Sequence, residues 1–298
     1  NKNTIASSAI AGIQTANNVF LNVNTFDAGS STTISANIRD FGTAGVAKSG
    51  DGMLILSGDN TYAGTTQINS GILRVQSATA LGTDTAATVI RDGGTLELDG
   101  VDIDGEAISS VIGMGVNGLG AIRSVGSDAS WSGSIAAANV TVFGVGAQAG
   151  TVLTLDGVIA NSTASLIKVD SGTLELAGGS ANLITGTTYV AEGTLRLNKT
   201  PGVNAFGGSI VVGDDLGGPG ADVLEWAGDN QFAAGTVTVN TSGLVNLNGF
   251  SEGIGALNLR VGVGQAAQVE TGAGTLTLGG NISVDDLPGA DSTATITG

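Results

Sequence analysis

Residues 172–176 read Gly-Thr-Leu-Glu-Leu, and residues 193–197 repeat them as Gly-Thr-Leu-Arg-Leu. In both units leucine alternates with polar residues. Side chains of a β-strand point to opposite faces in turn, so this alternation predicts a half-buried strand with both leucines on one face. Leu174 and Leu195 hold the same place in the two units, which indicates that the chain returns to the same position once per repeat.

The same unit, Gly-x-Leu-x-Leu or a close variant, recurs along most of the chain. Leu54, Leu73 and Leu96 hold the same place in three consecutive units. A short strand that returns about every 20 residues, with turns between, is typical of a solenoid. We therefore predict an all-β, parallel β-solenoid of roughly 14 coils and roughly 65 Å, in which the leucine segments stack in register. The units span Gly52–Leu56, Gly71–Val75, Gly94–Leu98, Gly150–Leu155, Gly172–Leu176, Gly193–Leu197, Gly243–Leu247 and Gly274–Leu278.

The composition agrees with a thin, extended core. Hydrophobic residues make up 41% of the chain but aromatic residues only 4%, so many small branched side chains must build the core. Glycine accounts for 50 of 298 residues, and each glycine costs a helix about 1 kcal/mol relative to alanine. We expect almost no helix and a single continuous solenoid over residues 1–298.

Charge and missing residue types exclude several function classes. The formal net charge is −16, from 26 acidic and 10 basic residues, so a nucleic acid partner is not expected. The chain has no cysteine and no histidine, which excludes disulfides, thiolate chemistry, Ser-His-Asp triads and His-ligated zinc. No apolar run approaches the ~18 residues of a membrane helix, so this segment is not expected to insert into a membrane.

One stretch carries a family resemblance. Residues 48–75 read Lys-Ser-Gly-Asp-Gly-Met-Leu-Ile-Leu-Ser-Gly-Asp-Asn-Thr-Tyr-Ala-Gly-Thr-Thr-Gln-Ile-Asn-Ser-Gly-Ile-Leu-Arg-Val. This resembles the autotransporter-associated β-strand repeat of type V secretion passengers. Degenerate copies occupy 168–197 and 228–249. The residues expected to shape the repeat are Gly52, Leu54, Leu56, Asn60, Tyr62, Gly64, Gly71, Leu73, Leu174, Leu176, Tyr189, Leu195, Leu197, Asn230 and Phe232.

The resemblance implies a right-handed parallel β-helix displayed outside a Gram-negative-type bacterium, as an adhesin, fibre or stalk. The chain is then a segment or subunit of a longer fibre, a stiff passive rod and not an enzyme, with no cofactor. Its expected partners are further copies stacked end to end and an unknown host or cell-surface receptor or glycan. The alternative is a carbohydrate-binding or carbohydrate-cleaving β-helix, similar to a tailspike or a pectinase, with an exposed cleft where acidic residues of several coils converge.

Three aspartates are the candidates for other chemistry. Asp214 and Asp215 are adjacent, as in pectin hydrolases, but the histidine and Arg-x-Lys elements of those enzymes are absent. Residues 217–224 fit the calcium-binding pattern Gly-Gly-x-Gly-x-Asp-x-Leu, with Asp222 at the acidic position. That motif works in tandem copies, and this chain has one. Asp214, Asp215 and Asp222 are therefore weak calcium candidates, and a solvated turn is the favoured interpretation.

The aromatic and amide residues of the repeat have two interpretations. Tyr62, Tyr189 and Phe232 are expected to fill corner space between coils, with carbohydrate stacking as the alternative. Asn60 and Asn230 follow equivalent Gly-Asp pairs and are expected to form hydrogen-bonded turns.

Overall fold

The computed structural model describes residues 2–5, 12–14, 18–39, 42–137, 140–160 and 163–298. Over these residues the chain is a parallel β-solenoid of about 12 turns. Its one helical segment within the described part is a 3-10 turn at Val116–Gly118, so the expectation of almost no helix is confirmed. None of its described helices has the length and apolar character to span a membrane.

The strands are short and follow one another around the solenoid. In chain order they are β1 (Lys2–Ile5), β2 (Ile13–Gln14), β3 (Leu21–Asn24), β4 (Ser31–Ile34), β5 (Ile38–Arg39), β6 (Val46–Ser49), β7 (Met53–Leu56), β8 (Thr66–Ile68), β9 (Gly71–Val75), β10 (Thr88–Ile90), β11 (Gly94–Asp99), β12 (Asp102–Ile103), β13 (Ile108–Val111), β14 (Ile122–Val125), β15 (Ala129–Trp131), β16 (Ile135–Ala136), β17 (Val142–Ala147), β18 (Val152–Leu155), β19 (Ile159–Ala160), β20 (Ser165–Val169), β21 (Thr173–Gly178), β22 (Thr188–Val190), β23 (Gly193–Lys199), β24 (Ile210–Val212), β25 (Asp222–Trp226), β26 (Val237–Val239), β27 (Gly243–Asn246), β28 (Glu252–Ile254), β29 (Leu257–Val261), β30 (Gln268–Glu270), β31 (Leu276–Leu278), β32 (Ile282–Asp286) and β33 (Thr295–Thr297).

Three parallel sheets form the sides of the solenoid. Sheet 1 has 13 strands, in the order β1-β4-β7-β9-β11-β14-β17-β20-β22-β24-β26-β29-β32. Sheet 2 has nine strands, β12-β15-β18-β21-β23-β25-β27-β30-β33, and sheet 3 has seven, β19-β16-β13-β10-β8-β6-β3. The pairs β2-β5 and β28-β31 add two short sheets. Since sheet 1 continues from the first strand to β32, one core runs through the described chain.

The predicted number of coils was slightly high. The repeat spacing led to an expectation of roughly 14 coils. The structure has about 12 turns. Some turns are longer because loops bulge from the corners. The paired residues Arg196 and Glu225 lie 29 positions apart, for example, and the loop at residues 213–221 separates their strands. At about 4.8 Å per turn, the stack is roughly 58 Å long.

The leucine units form two columns on different sides of the solenoid. Leu54, Leu73 and Leu96 pair in register within sheet 1. A second leucine column, in sheet 2, consists of Leu153, Leu174, Leu195 and Leu224. All seven side chains are at most 1% exposed. Stacking in register is therefore confirmed within each column, although the leucine units do not form one column through the whole chain.

The change of side happens between Leu96 and Leu153. In this interval the chain makes two full turns, because Ile122 and then Val145 stack on Leu96 in sheet 1. After Val145 the chain continues to the next side, where Leu153 lies in sheet 2. The later repeats thus sit one side further around the solenoid. Leu257 and Leu276 are also about one repeat apart in sequence but do not stack, because Leu257 pairs with Ile282 and Leu276 pairs with Glu252.

In each of the two repeat copies at 48–75 and 168–197, a buried asparagine follows the leucine strand and joins three coils. Asn60 accepts a hydrogen bond from the Ile38 backbone N–H at 2.8 Å and donates to the Ala80 carbonyl at 2.6 Å. Asn182 does the same, accepting from Ile159 N–H and donating to the Ala205 carbonyl. The side-chain amide therefore supplies backbone pairing where the chain has no regular strand.

A buried lysine precedes the leucine strand of the same two repeats. Lys48 is fully buried, and its Nζ donates to the carbonyls of Ser49, Gly50 and Ser70. Lys168 likewise donates to the carbonyls at positions 169, 170 and 192. Each ammonium joins the corner of its own coil to that of the next. Burial lowers the pKa of both lysines to about 8, and nearby carboxylates oppose this shift.

Glycine columns let neighbouring coils approach closely at the corners. A Cβ placed on Gly208 would lie 2.2 Å from the carbonyl oxygen of Gly186. On Gly186 it would lie 2.3 Å from the Ala164 oxygen, and on Gly235 it would lie 2.6 Å from the Gly208 oxygen. Real Cβ atoms do not tolerate such distances to backbone. Part of the high glycine content is therefore required by coil stacking, in addition to turn geometry.

We predict that Gly208→Ala destabilises the solenoid by about 1–3 kcal/mol, because the added methyl group must push two coils apart. Gly253→Ala is the matched control, since a Cβ there meets no atom within 4 Å. Its effect should stay within about 0.5 kcal/mol. Thermal unfolding followed by circular dichroism measures both variants. Equal unfolding temperatures would contradict the close-approach explanation.

We predict that Asn60→Ala costs about 1–3 kcal/mol, because the substitution leaves a buried N–H and a buried carbonyl without partners. Asn22→Ala is the control, since Asn22 is exposed and its side-chain amide donates to the carbonyl of Phe20, two positions earlier. Urea unfolding should show a lower midpoint for the first variant alone. A midpoint unchanged in Asn60→Ala would show that the amide does not hold the coils together.

Candidate functional site

The aromatic residues of the repeat take different positions in the structure. Tyr62 is 2% exposed, and its hydroxyl lies 2.6 Å from the Thr66 hydroxyl in a hydrogen bond. Phe232 packs against Phe206 with ring centroids 4.9 Å apart. Tyr189 instead points outward from the middle of β22 and is 38% exposed. Tyr62 and Phe232 thus occupy interior space, and Tyr189 lies on the surface of sheet 1.

The amide expected at Asn230 lies one position further along. Asn230 is exposed in a turn with φ 53°, whereas Gln231 is fully buried. The Gln231 side chain accepts from Lys199 N–H at 2.7 Å and donates to the Lys199 carbonyl at 2.6 Å. Both of these bonds go to one residue, whereas Asn60 bonds to two different neighbouring coils. The structural counterpart of Asn60 is Asn182, which the sequence pattern did not reveal.

A pocket opens at the corner between sheets 1 and 2, where loop 213–221 bulges from the solenoid. We call it the corner pocket, and its volume is about 400 Å³. The loop forms one wall, and the corners of the two preceding coils form the other. The lining residues are Ser171, Ala191, Glu192, Gly193, Asp214, Leu216, Gly217, Ala221 and Asp222. Asp214 and Asp222, two of the three weak calcium candidates, therefore face one cavity.

The third aspartate, Asp215, holds the loop in place. Its carboxylate accepts from the N–H and hydroxyl of Thr241, both at 2.9 Å, and from Arg260 at 3.2 Å. Its backbone N–H donates to the Ser242 hydroxyl, and its carbonyl accepts from Gln265. Asp215 thus ties the loop to the two following coils. Asp214 and Asp215 do not form a carboxylate pair, because their carboxylates face different partners.

Asp222 is the buried acid of the corner pocket. It is 2% exposed and accepts a hydrogen bond from the Ser242 hydroxyl at 2.7 Å. Burial raises the pKa of Asp222 to about 6; the Ser242 bond opposes the rise, and the charges of Asp214 and Glu192 add to it. The Asp222 carboxyl group therefore changes its protonation state slightly below neutral pH.

A second pocket, of about 360 Å³, lies near Asn60 and also contains a buried acid. Glu106 is 5% exposed and accepts from the Thr88 hydroxyl at 2.7 Å. Burial raises the pKa of Glu106 to about 7, partly opposed by the Thr88 bond, and the charge of Asp84 adds to the rise. Asp84 and Asp104 also line this pocket. Sequence patterns carry no signal for Glu106, because it is a single acid outside the repeated units.

Several carboxylates outside the pockets form ion pairs with arginines of other coils. Glu97 lies between Arg74, at 2.7 Å, and Arg123, at 3.1 Å. Arg123 continues to Asp170 at 2.7 Å. The corresponding row on sheet 2 is Glu175, Arg196 and Glu225. Among the described residues, no lysine or arginine forms such an ion pair with the three acids of the corner pocket.

The geometry does not assemble a metal centre in the described part of the chain. No group of three or more acidic residues there is arranged to hold a metal ion. Asp214, Asp215 and Asp222 are therefore not brought together as calcium ligands. The Asp215 carboxylate holds loop 213–221 in place, and Asp214 and Asp222 line the corner pocket.

Comparisons with known proteins agree with the repeat seen in the structure. The passenger-associated-transport-repeat family matches residues 46–75, 166–197 and 269–283. The first two stretches contain the copies identified at 48–75 and 168–197, whereas the trace at 228–249 lies outside the matched residues. Each of these first two stretches contains a buried lysine, Lys48 or Lys168, and a leucine strand.

A curated relative is the adhesin BmaC autotransporter of Brucella suis biovar 1 (strain 1330). It is 33% identical over 187 residues, which is 63% of this chain and 4% of that protein. The chain therefore spans a small fraction of the length of the relative that it matches. No solved structure matches the chain significantly. The repeat match and the similarity to an autotransporter support the predicted resemblance: this parallel solenoid contains passenger-associated transport repeats at the matched residues.

Proposed function

We propose that this chain is an extracellular adhesive passenger segment on the surface of a Gram-negative bacterium, and that it acts as a stiff passive rod. The observation that carries the proposal is the continuous sheet 1, whose 13 parallel strands stack one above another along one axis. The similarity to an autotransporter adhesin supports the adhesive role. The net charge of −16 favours solubility outside the cell.

Stiffness follows from how each coil is attached. Backbone hydrogen bonds join each turn to the next on at least two sides, and side chains such as Asn60 and Lys48 add bonds between coils. Bending the rod would break these bonds on one side. Such a rod holds a binding surface away from the membrane without chemistry of its own. End-to-end stacking into a fibre belongs to the same proposal, because strand edges accept further parallel strands.

A carbohydrate-directed function is the second candidate, and the pocket of Glu106 favours it. Asp84 and Asp104, from successive coils, line this pocket together with Glu106, Thr79 and Thr83. Carboxylates and hydroxyls are suited to sugar hydroxyl groups. A screen against polysaccharides, scored for new reducing ends and for unsaturated products, separates cleavage from simple adhesion. We expect no product above background.

We predict that the purified chain is elongated in solution and adheres to host cells. Small-angle scattering should fit a rod about 58 Å long. Beads coated with the chain should bind cultured epithelial cells, and excess soluble chain should compete with them. Beads coated with an unrelated acidic protein are the control. A spherical scattering profile would contradict the rod, and binding equal to the control would contradict the adhesive role.

A further inference from the structure

Part of the outer surface of sheet 1 is apolar. Strand β7 reads Met-Leu-Ile-Leu, so its outward residues Met53 and Ile55 are apolar like its buried leucines. On β9, Ile72 lies beside Met53 in register. A strand of a parallel sheet that is apolar on both faces is normally covered on both. The outward side of β7 and β9 thus has the composition of a covered surface, although these three side chains are only partly buried.

These three side chains lie in a groove on the side of the solenoid, which we call the side groove. It consists of two adjoining depressions of about 380 and 430 Å³, which share Ala28 and Ile72. Residues 28–30 form one wall, and Val116, from a later coil, lines the far end. The charged residues that line the groove are Asp51 and Arg74. The side groove therefore has an apolar floor with a charged group of each sign beside it.

An exposed aromatic side chain stands beside the groove. Phe26 is 76% exposed, and such a side chain is costly to leave in water. It belongs to the loop that forms the groove wall, and backbone hydrogen bonds hold this loop against the start of β7. Gly52 N–H donates to the Thr25 carbonyl at 2.8 Å, and Met53 N–H donates to the Ser30 carbonyl at 2.9 Å. Phe26 therefore projects from a fixed position.

A projecting ring beside an apolar groove makes this surface self-complementary. When two copies meet around a two-fold axis, both use the same patch, so each Phe26 can enter the groove of the other copy. One contact then covers both the exposed ring and the apolar floor. Elsewhere on the surface, the net charge of −16 makes two copies repel each other. A second copy of the chain is therefore an occupant that fits the side groove.

The charges favour a two-fold axis that runs along the rod. Such an axis reverses the direction of the strands between the two copies at the same height. Asp51 precedes β7, whereas Arg74 lies near the end of β9. The reversal therefore brings Asp51 of each copy towards Arg74 of the other, and the two opposite charges attract.

We propose that two copies of this chain pair side by side and parallel through the side groove. Phe26 of each copy packs on the floor formed by Met53, Ile55 and Ile72 of the other. The contact is at the low end of specific interfaces, below about 1,200 Å² in total, so the pair is weak. The inference goes beyond the proposed function, because two parallel rods present their binding surfaces together and gain avidity. The pairing uses the side of the rod and leaves both ends free.

The first test is sedimentation equilibrium of the whole chain between about 1 and 300 µM. We expect monomer and dimer, with a dissociation constant of roughly 10–100 µM, and no larger species. A monomer at every concentration would overturn the proposal. A series that grows beyond the dimer would also overturn it, because end-to-end stacking and not the side groove would then account for the association.

Two variants remove the two halves of the contact. Ile55→Thr with Ile72→Thr makes the groove floor polar, and threonine already occupies the adjacent outward places at Thr33 and Thr95. Phe26→Ser removes the ring. Each variant should weaken the dimer at least about tenfold. Unfolding temperatures verify that both are folded. A dimer of unchanged affinity in either variant would overturn the proposal.

Two matched controls make similar changes elsewhere. Leu216→Ser alters another exposed apolar side chain in a loop, and Val211→Thr alters another outward position of sheet 1. Both should keep the dissociation constant within about twofold. Weakening equal to that of the groove variants would overturn the proposal, because general loss of apolar surface would then explain the result.

Cross-linking tests which residues meet. The chain has no cysteine, so introduced thiols report single positions. A short bismaleimide should join a mixture of Phe26→Cys and Ile55→Cys copies faster than it joins either variant alone. A mixture that is joined no faster than the single variants would overturn the proposal.

The adhesion experiment separates this inference from the proposed function. If the chain stays monomeric and Phe26→Ser abolishes the binding of coated beads to cells, the groove takes a host partner and the pairing is wrong. If the dimer forms as expected and the beads do not bind, the adhesive role is wrong and the pairing stands.

Discussion

Parallel hydrogen bonding between successive coils is the interaction on which the rest of the structure depends. It sets a spacing of about 4.8 Å between turns, and every side chain must be compatible with its neighbours above and below at that distance. The uniform leucine columns satisfy this requirement inside. At the corners, Gly186, Gly208 and Gly235 satisfy it by leaving out the side chain. No coil could meet the requirement alone, because its backbone partners belong to the adjacent coils.

The same spacing determines where polar groups can be buried. Where a turn interrupts the strands, backbone groups still need partners, and Asn60 and Asn182 supply them on both neighbouring coils. Lys48 and Lys168 do the equivalent for clustered carbonyls at the corners. An unpaired group in these positions would cost about 1–3 kcal/mol. These side chains therefore act as extensions of the backbone ladder.

On the outer faces of the sheets, like charges on adjacent strands repel each other at this spacing. This explains why acidic and basic side chains alternate along the rows. Glu97 lies between two arginines, and Arg196 lies between two glutamates. The acids of the corner pocket lie outside these rows, and no arginine in the described part of the chain forms an ion pair with them. Loop 213–221 forms this pocket by leaving the regular path of the coil.

The sequence by itself determined the local elements. Alternating leucines predicted the strands around Leu54 and Leu174, glycine content excluded helix, and the period predicted a parallel solenoid. Lys48 and Lys168 also lie six positions before the leucine in both copies, but the structure, not the sequence pattern, revealed their role and that of Asn182. Strands, turns and the repeat period were predictable. These features depend on neighbours in the chain, so a pattern of residues suffices to find them.

Only the tertiary structure decided which side of the solenoid each repeat occupies. That position depends on the accumulated length of every preceding turn. Between Leu96 and Leu153 the chain makes two turns and continues along one further side, which places the later repeats in sheet 2. The corner pocket has the same origin. Glu192 and Asp214 are distant in sequence and face one cavity because one turn places them at the same corner. No local pattern records such a sum of turn lengths.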